Sequence, residues 1–285
     1  MVRIAVPAFS RYFSHPIPAW RILLESFFPQ SPYILLTNDD GIHAPGLAKL
    51  AQRLRALRTV LVLAPDQNWS AAGHSKTMHK PLRVWPARLE DGSEGLASNG
   101  SPSDCVALAL LGLVQRLPEL VVSGINLGAN VGDDLTYSGT VAAAMEAVIW
   151  GVSAIAVSLD SSEGRHPDTA ARFAAYLAGR VLEYKEDKPL LLNVNVPDRP
   201  AEEIVGVQIT KLGHRLYRDA LVTRVDPRGR AYYWIGGEPP EGIPEEGTDI
   251  GALAQGYISV TPILLDLTDY GRLAELKRWN LAGPW

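Results

Sequence analysis

An apolar run that stops abruptly on two acidic residues places the strongest constraint on how this chain folds. Residues 34–37 read Ile-Leu-Leu-Thr and lead directly into Asn-Asp-Asp-Gly at 38–41. A uniformly apolar strand is typical of a parallel sheet that helices cover on both faces. Leucines at helical spacing then predict a helix over residues 46–57. Ligands of open α/β sheets bind beyond the carboxyl ends of the strands, which is where Asp39 and Asp40 lie.

Asp39 and Asp40 place two carboxylates side by side at this strand end. Two such charges about 4 Å apart repel by roughly 4 kcal/mol at an effective dielectric constant of 20, so a proton or a cation must accompany them. Oxygen ligands of this kind suit a hard divalent ion, Mg²⁺, Mn²⁺ or Ca²⁺. Asn, Asp and Gly are also ordinary turn residues. This stretch by itself leaves a metal site and a polar turn equally open.

Composition excludes several classes of protein. Of the 285 residues, 47% are hydrophobic and 20% are charged, which is typical of a globular chain of one or two domains. The longest apolar stretches, such as residues 106–114, fall short of the roughly 20 residues that cross a bilayer, so we expect no membrane partner. A net charge of −4 gives no general reason to expect binding to a nucleic-acid polymer. The single cysteine, Cys105, fits a reducing compartment.

Residues 1–32 contain five prolines and no acidic residue before Glu25, and we interpret them as an N-terminal appendage to a domain of residues 33–285. Beyond them, apolar strands alternate with helical patterns. This alternation predicts an α/β fold, a Rossmann-like, doubly wound and mainly parallel sheet. The predicted strands are 60–64, 82–85, 120–123, 154–158 and 190–194, the predicted helices are 103–115, 139–150 and 168–184, and residues 90–95 predict a turn.

The C-terminal part changes character from about residue 197. Short β-like segments at 204–210, 232–235 and 257–261 are separated by stretches rich in Gly, Pro and Glu. We interpret residues 222–247 as a protruding β-hairpin arm and residues 269–280 as a terminal helix. An isolated hairpin is marginal in water, so the aromatic cluster at 232–235 needs a surface to cover it. Either the protein's own core or a partner chain could supply that surface.

Further oxygen-bearing side chains follow two other predicted strands. Ser70 lies in the polar loop after the second strand, and Asn126 and Asn130 lie in a glycine-rich loop after the strand at 120–123. The carboxyl ends of parallel strands share one edge of a sheet, so these residues are expected to converge with Asp39. The glycine spacing is not G-x-G-x-x-G, and a dinucleotide site is therefore not predicted.

The tripeptide Ser138-Gly139-Thr140 opens the helix predicted at 139–150. Free N–H groups, two hydroxyls and the positive end of a helix dipole suit an anion such as phosphate. A plain Ser/Thr helix cap is the alternative reading. His74, in the same polar loop as Ser70, is expected to make a polar contact rather than to transfer a proton. None of the six histidines has the spacing of a zinc ligand.

At this point an ordered series of blocks resembles the survival protein SurE family from about residue 33 to the end. The blocks are Thr-Asn-Asp-Asp-Gly at 37–41, Ala-Pro-Asp at 64–66, Gly-His-Ser at 73–75, Pro-Ser-Asp-Cys-Val at 102–106, Val-Ser-Gly-Ile-Asn-Leu-Gly-Ala-Asn at 122–130, Tyr-Ser-Gly-Thr-Val at 137–141, Asn-Val-Asn-Val-Pro at 193–197 and Thr-Pro at 261–262. Two departures are small: residues 100–104 read Gly-Ser-Pro-Ser-Asp where the family usually has Gly-Thr-Pro-Ala-Asp, and residues 1–32 have no counterpart.

The resemblance implies a cytoplasmic, divalent-metal-dependent 5′-nucleotidase that hydrolyses nucleoside 5′- and 3′-monophosphates. It also implies a dimer or tetramer built by exchange of C-terminal segments. Carried over position by position, the metal ligands fall on Asp39, Asp40, Ser70 and Asn126, with one Mg²⁺ or Mn²⁺ ion per subunit.

Within that frame we assign catalytic roles to Asp39 and Asn126 and phosphate contacts to Asn130, Ser138, Gly139 and Thr140. A metal-oriented water is the expected nucleophile. Direct attack by Asp39 on phosphorus is an alternative. Two non-enzymatic readings are a receiver domain, which is much shorter and would need a phosphoacceptor aspartate where Ser123 and Asn126 stand, and a nucleotide-binding module without turnover.

Overall fold

A nine-stranded, mainly parallel sheet forms the centre of the protein in a computed structural model that describes residues 24–184, 187–281 and 283. Its strands are β1 (Tyr33–Thr37), β2 (Thr59–Pro65), β3 (Val84–Arg88), β4 (Glu94–Ser98), β5 (Leu120–Leu127), β6 (Ala154–Asp160), β7 (Leu191–Pro197), β8 (Gly206–Ile209) and, after a separate hairpin of β9 (Arg215–Val225) and β10 (Ala231–Gly242), β11 (Tyr257–Pro262).

The strand order in the sheet is β3-β4-β2-β1-β5-β6-β7-β11-β8. Only the β3–β4 and β7–β11 pairs of this sheet are antiparallel. From β1 the chain first builds the sheet in one direction through β2, and from β5 it builds in the other direction through β6 and β7. The order therefore reverses between β1 and β5, and such a switch point is where ligands of open α/β sheets bind.

Helices cover both faces of the sheet, as the strand–helix alternation predicts. They are α1 (Pro45–Leu54), α2 (Pro102–Leu108), α3 (Gly139–Ile149), α4 (Pro167–Glu183), α5 (Asp249–Ala254) and α6 (Tyr270–Lys277). Leu47, Leu50 and Leu54 of α1 are fully buried in one apolar cluster, together with α4. The other cluster contains α2 and the alanine-rich face of α3. The prediction of a doubly wound α/β fold is confirmed.

Two local predictions were wrong. The helix expected over 103–115 ends as an α-helix at Leu108 and continues as a π-helical turn, Ala109–Leu113, in which Gly112 has a φ of +120°. The turn expected at 90–95 gives way at Glu94 to strand β4, which pairs with β2 and β3. Leu96 is completely buried there, so pairing on both sides outweighs the local turn preference.

The C-terminal hairpin is longer than the predicted arm at 222–247, because β9 already begins at Arg215. β9 and β10 pair with each other from Ala231↔Val225 to Gly242↔Arg215 and form a sheet of their own. Many of their apolar side chains face solvent: Trp234 is 64% and Ile235 is 86% exposed. Helix α6 lies within the predicted 269–280 and buries no residue.

The segment just before β1 contacts the core. Residues 1–23 of the predicted appendage lie outside the described residues, but Leu24 is buried and Phe27 and Phe28 pack against the cluster that contains α2 and α3. The spacing of these three side chains puts them on one face of a helical turn. In the described part of the chain no helix is both long and apolar enough to span a membrane.

Candidate active site

The polar residues predicted for the site surround an open cleft of about 390 Å³ at the switch point between β1 and β5. Asp39, Ser70, Asn126, Asn130 and Ser138 all line it. They come from four different segments: the end of β1, the loop after β2, the end of β5 with its following loop, and the start of α3. The parallel sheet thus brings together residues that are up to 99 positions apart in sequence, from Asp39 to Ser138.

Asp39 is buried and held by helix α3. Thr140 donates its hydroxyl to Asp39 Oδ1 at 2.5 Å and its backbone N–H to Oδ2 at 3.2 Å. Burial and, to a smaller extent, the charge of Asp40 raise the pKa of Asp39 to about 6, although the Thr140 hydrogen bonds lower it. A Cβ atom on Gly139 would lie only 2.9 Å from Asp39 Cβ, so glycine is needed for this close approach.

Asp40 is partly exposed and connects to Ser70 through Asn68. Asn68 Nδ2 donates to Asp40 Oδ1 at 3.0 Å, and Asn68 Oδ1 accepts the backbone N–H and the hydroxyl of Ser70 at 2.7 and 2.6 Å. Burial raises the pKa of Asp40, whereas hydrogen bonds from Leu127 N–H and Asn68 lower it. Sequence reasoning missed Asn68, although an Asn two residues before a Ser is a common local turn pairing.

Asn126 is aimed by an irregularity in β5. The register with β6 shifts between Ser123 and Asn126, and Gly124 has a φ of +141° with room for no Cβ, which would lie 2.4 Å from Val157 O. Such bulges often redirect a side chain beside an active site. Asn126 Nδ2 donates to Gly128 O at 2.7 Å, so the amide oxygen is the atom of Asn126 left to accept a ligand.

The predicted phosphate contacts have internal partners. Asn130 is buried and donates Nδ2 to Ser158 Oγ at 2.7 Å. Both donors of Thr140 point at Asp39, as described above. Ser138 Oγ accepts Val141 N–H at 3.1 Å and caps α3, which is the alternative reading of this helix start. Its O–H proton is left to donate. Of these three residues, Ser138 therefore has the donor best placed to serve a ligand.

The donor set fits a hard divalent cation. Two carboxylates, the Ser70 hydroxyl and the Asn126 amide oxygen are oxygen ligands of the kind that Mg²⁺ and Mn²⁺ prefer. The donors to Asp39 and Asp40 named above are all neutral, so a cation is the group that would offset the burial of these charges. Within the described residues no group of three or more His, Cys, Asp or Glu side chains could hold an ion, and this site offers two with two neutral ligands.

His74 does not enter the cleft. Its Nε2 lies 2.9 Å from Glu146 Oε2, in the middle of α3. This is the polar contact expected for His74, and its partner is a residue that sequence reasoning did not single out.

The fold and this site together define a doubly wound α/β protein with an acidic ligand site at its topological switch point. Comparison with known proteins makes the assignment specific. The model of the survival protein SurE family matches residues 34–219, and the chain belongs to this family.

Relatives and a solved structure agree with this assignment. A protein of Chloroflexus aggregans named 5′-nucleotidase SurE is 53% identical over 250 residues, which cover 87% of this chain and 99% of that protein. A protein of the same name from Geobacter sulfurreducens is 52% identical over 250 residues, covering 87% and 94%. The crystal structure of the SurE protein from Aquifex aeolicus has a TM-score of 0.75 at 39% identity and covers 87% of this chain and all of that one. The predicted family is confirmed.

Proposed function

We propose that this 5′-nucleotidase, a metal-dependent phosphatase, hydrolyses nucleoside 5′-monophosphates, and 3′-monophosphates as well, in the cleft between β1, β5 and the start of α3. The observation that carries the proposal is the pair Asp39 and Asp40, two carboxylates with raised pKa values beside a cleft with neutral oxygen ligands. A volume of about 390 Å³ is within the usual range for small-molecule sites.

One Mg²⁺ or Mn²⁺ ion would be held by Asp39, Asp40, Ser70 and Asn126. When bound, such an ion polarises a phosphoryl oxygen and lowers the pKa of a water that can attack phosphorus. The receiver-domain reading is set aside, because the chain belongs to a family whose members carry the name of an enzyme.

The chain's own residues orient these ligands and the phosphate. Thr140 fixes both oxygens of Asp39, and Asn68 fixes Asp40 relative to Ser70. Asp39 is only 4% exposed, which supports a ligand role for it over direct attack on phosphorus.

The phosphate lies, in this proposal, at the positive end of α3. Ser138 donates its hydroxyl to a phosphate oxygen, and the backbone at Gly139 and Asn130 lines the same seat. Thr140 contributes through Asp39 and not through a donor of its own, which revises the direct contact expected from the sequence.

Phosphate release from adenosine 5′-monophosphate tests the proposal. Wild-type protein should release phosphate with Mn²⁺ and lose this activity in excess EDTA, and Asp40→Asn should abolish it because a charged ligand is lost. Asp133→Asn is the matched control, since Asp133 is exposed and does not line the cleft. Activity of Asp40→Asn equal to that of the control would refute the assignment.

We further propose that the protein forms a dimer or tetramer by exchange of C-terminal segments and acts in the cytoplasm. The exposed apolar residues of β9 and β10 and the lack of any buried residue in α6 support a partner chain as the covering surface. Exchange of identical elements is a low-cost route to such assemblies.

A further inference from the structure

The buried carboxylate of Glu146 has no part in the chemistry described so far. Glu146 lies on α3, is completely buried, and accepts three side-chain donors. His74 Nε2 lies 2.9 Å from Oε2, and Lys76 Nζ and Trp150 Nε1 lie 2.8 and 2.9 Å from Oε1. Burial by itself would raise the pKa of Glu146, but these donors outweigh it and hold the pKa at about 2. Glu146 is therefore a charged, fully partnered group in the protein interior.

Two of the three donors belong to the loop that carries Ser70. This loop connects β2 to β3 over residues 66–83 without a helix or strand of its own. Connections of this length that lack secondary structure are uncommon in compact domains and usually serve function. Such a loop keeps one conformation only where specific contacts hold it.

The contacts that hold this loop converge on the elements of the site. Trp69 N–H donates to Asp39 O at 2.8 Å, and Gly73 N–H donates to Tyr137 O at 3.0 Å. His74 and Lys76 then reach Glu146, and these are the charged contacts among the four. Removing one partner of a buried charged pair leaves the other uncompensated, so this contact is costly to break.

We infer that Glu146 is a positioning residue for the metal-binding loop: through His74 and Lys76 its carboxylate fixes residues 66–83, and with them Ser70, against the helix that holds Asp39. Helix α3 contacts Asp39 at Thr140 and the loop at Glu146, about 9 Å further along its axis. One rigid helix thus sets the distance between two of the proposed ligands. This inference rests on the proposed function, because it assumes that Ser70 is a ligand.

The test combines direct Mn²⁺ binding, measured by calorimetry, with hydrogen exchange of residues 66–83 in the full-length protein. Glu146→Gln keeps the shape of the side chain but removes its charge. We expect roughly tenfold weaker Mn²⁺ binding, as for other residues that orient metal ligands, and faster exchange confined to the loop. Lys76→Met, on the half-exposed side of the pair, should act in the same direction if Glu146→Gln does not fold.

Trp150→Phe is the matched control. It removes the third donor to Glu146, but Trp150 lies at the end of α3 and not in the loop. A residue with a merely structural role would lose stability in both variants, whereas a positioning role predicts that Trp150→Phe leaves Mn²⁺ affinity and loop exchange unchanged.

A double variant separates this inference from the proposed function. If Glu146 acts through Ser70, Glu146→Gln should weaken Mn²⁺ binding in the wild-type background but change it by less than about twofold in Ser70→Ala. Fully multiplicative effects, or unchanged loop exchange in Glu146→Gln, overturn the inference. If Ser70→Ala alone leaves Mn²⁺ affinity intact, the ligand role of Ser70 fails, and loop exchange still decides whether Glu146 holds the loop.

Discussion

Removal of the Asp39 charge should stabilise the metal-free protein while it abolishes activity. Burial raises the pKa of Asp39 from 3.8 to about 6. A carboxyl group with a raised pKa in the folded state favours folding fully below its unfolded-state pKa, and this contribution is lost as the pH rises through the folded-state pKa. Metal-free wild-type protein should therefore lose stability from about pH 4 to pH 6, and Asp39→Asn should lack this loss.

The size of the effect follows from the same pKa values. Each tenfold change in proton affinity is worth about 1.4 kcal/mol, so at pH 7.5 the ionised Asp39 lowers the free energy of unfolding by about 3 kcal/mol. About half of this is already present at pH 5. The asparagine amide cannot accept both donors of Thr140, which costs about 1–2 kcal/mol independently of pH. Asp39→Asn should thus gain about 1–2 kcal/mol at pH 7.5.

Urea unfolding in EDTA at pH 5.0 and 7.5, at one fixed protein concentration, measures the effect. The difference between Asp39→Asn and wild type should increase by about 1.4 kcal/mol between the two pH values. Other titrating groups cancel in this difference. Asp133→Asn, which changes an exposed carboxyl group, should show no such increase.

Two outcomes would refute the reasoning. A stability difference that is the same at both pH values would mean that Asp39 ionises normally in the folded protein. Stabilisation of Asp39→Asn by saturating Mn²⁺ equal to that of wild type, about 2.7 kcal/mol at a hundredfold excess over Kd, would mean that Asp39 is not a ligand.

Three further predictions concern the site, the first described segment and the arm. Thr140→Val removes one hydrogen bond to Asp39, so the acid limb of Mn²⁺ affinity should move to higher pH, whereas Ser138→Ala should cost about 1 kcal/mol of stability and leave that limb in place; identical limbs for both variants would contradict the assignment. Leu24→Ala should lower the free energy of unfolding by about 2–3 kcal/mol in urea, and an unchanged midpoint would show that residue 24 is not part of the core. Light scattering should find an oligomer at micromolar concentration that becomes monomeric when residues 215–242 are replaced by a short linker, and a monomeric full-length chain would exclude exchange.

The order of strands and helices could be predicted because each depends on a local pattern. The uniformly apolar β1 and the leucine spacing of α1 are visible without any knowledge of neighbours, and both were found where expected. Strand β4 could not be found in this way, because its turn-forming start is overruled by pairing with β2 and β3. The same holds for β9, whose first residues are strand only because β10 extends to Gly242.

The candidate site shows the same division. The residue types at positions 39, 40, 70 and 126 point to oxygen ligands, and the parallel fold predicts that they meet. Their orientation depends on partners that no local pattern reveals: Thr140 on Asp39, Asn68 between Asp40 and Ser70, and Glu146 on the Ser70 loop. Thr140 in particular reads as part of an anion site from the sequence, because its closest partner is 101 residues away.

By itself, the sequence determined the family, the α/β class and the chemistry that the strand ends can offer, because these depend on residue type and on periodicity along the chain. Only the tertiary structure decided which donor serves which acceptor. A hydroxyl or amide has several possible partners, and its choice depends on distances of a few tenths of an ångström between elements that are remote in sequence. At this site that choice turned Thr140 toward Asp39 and gave Glu146 two donors from the loop that carries Ser70.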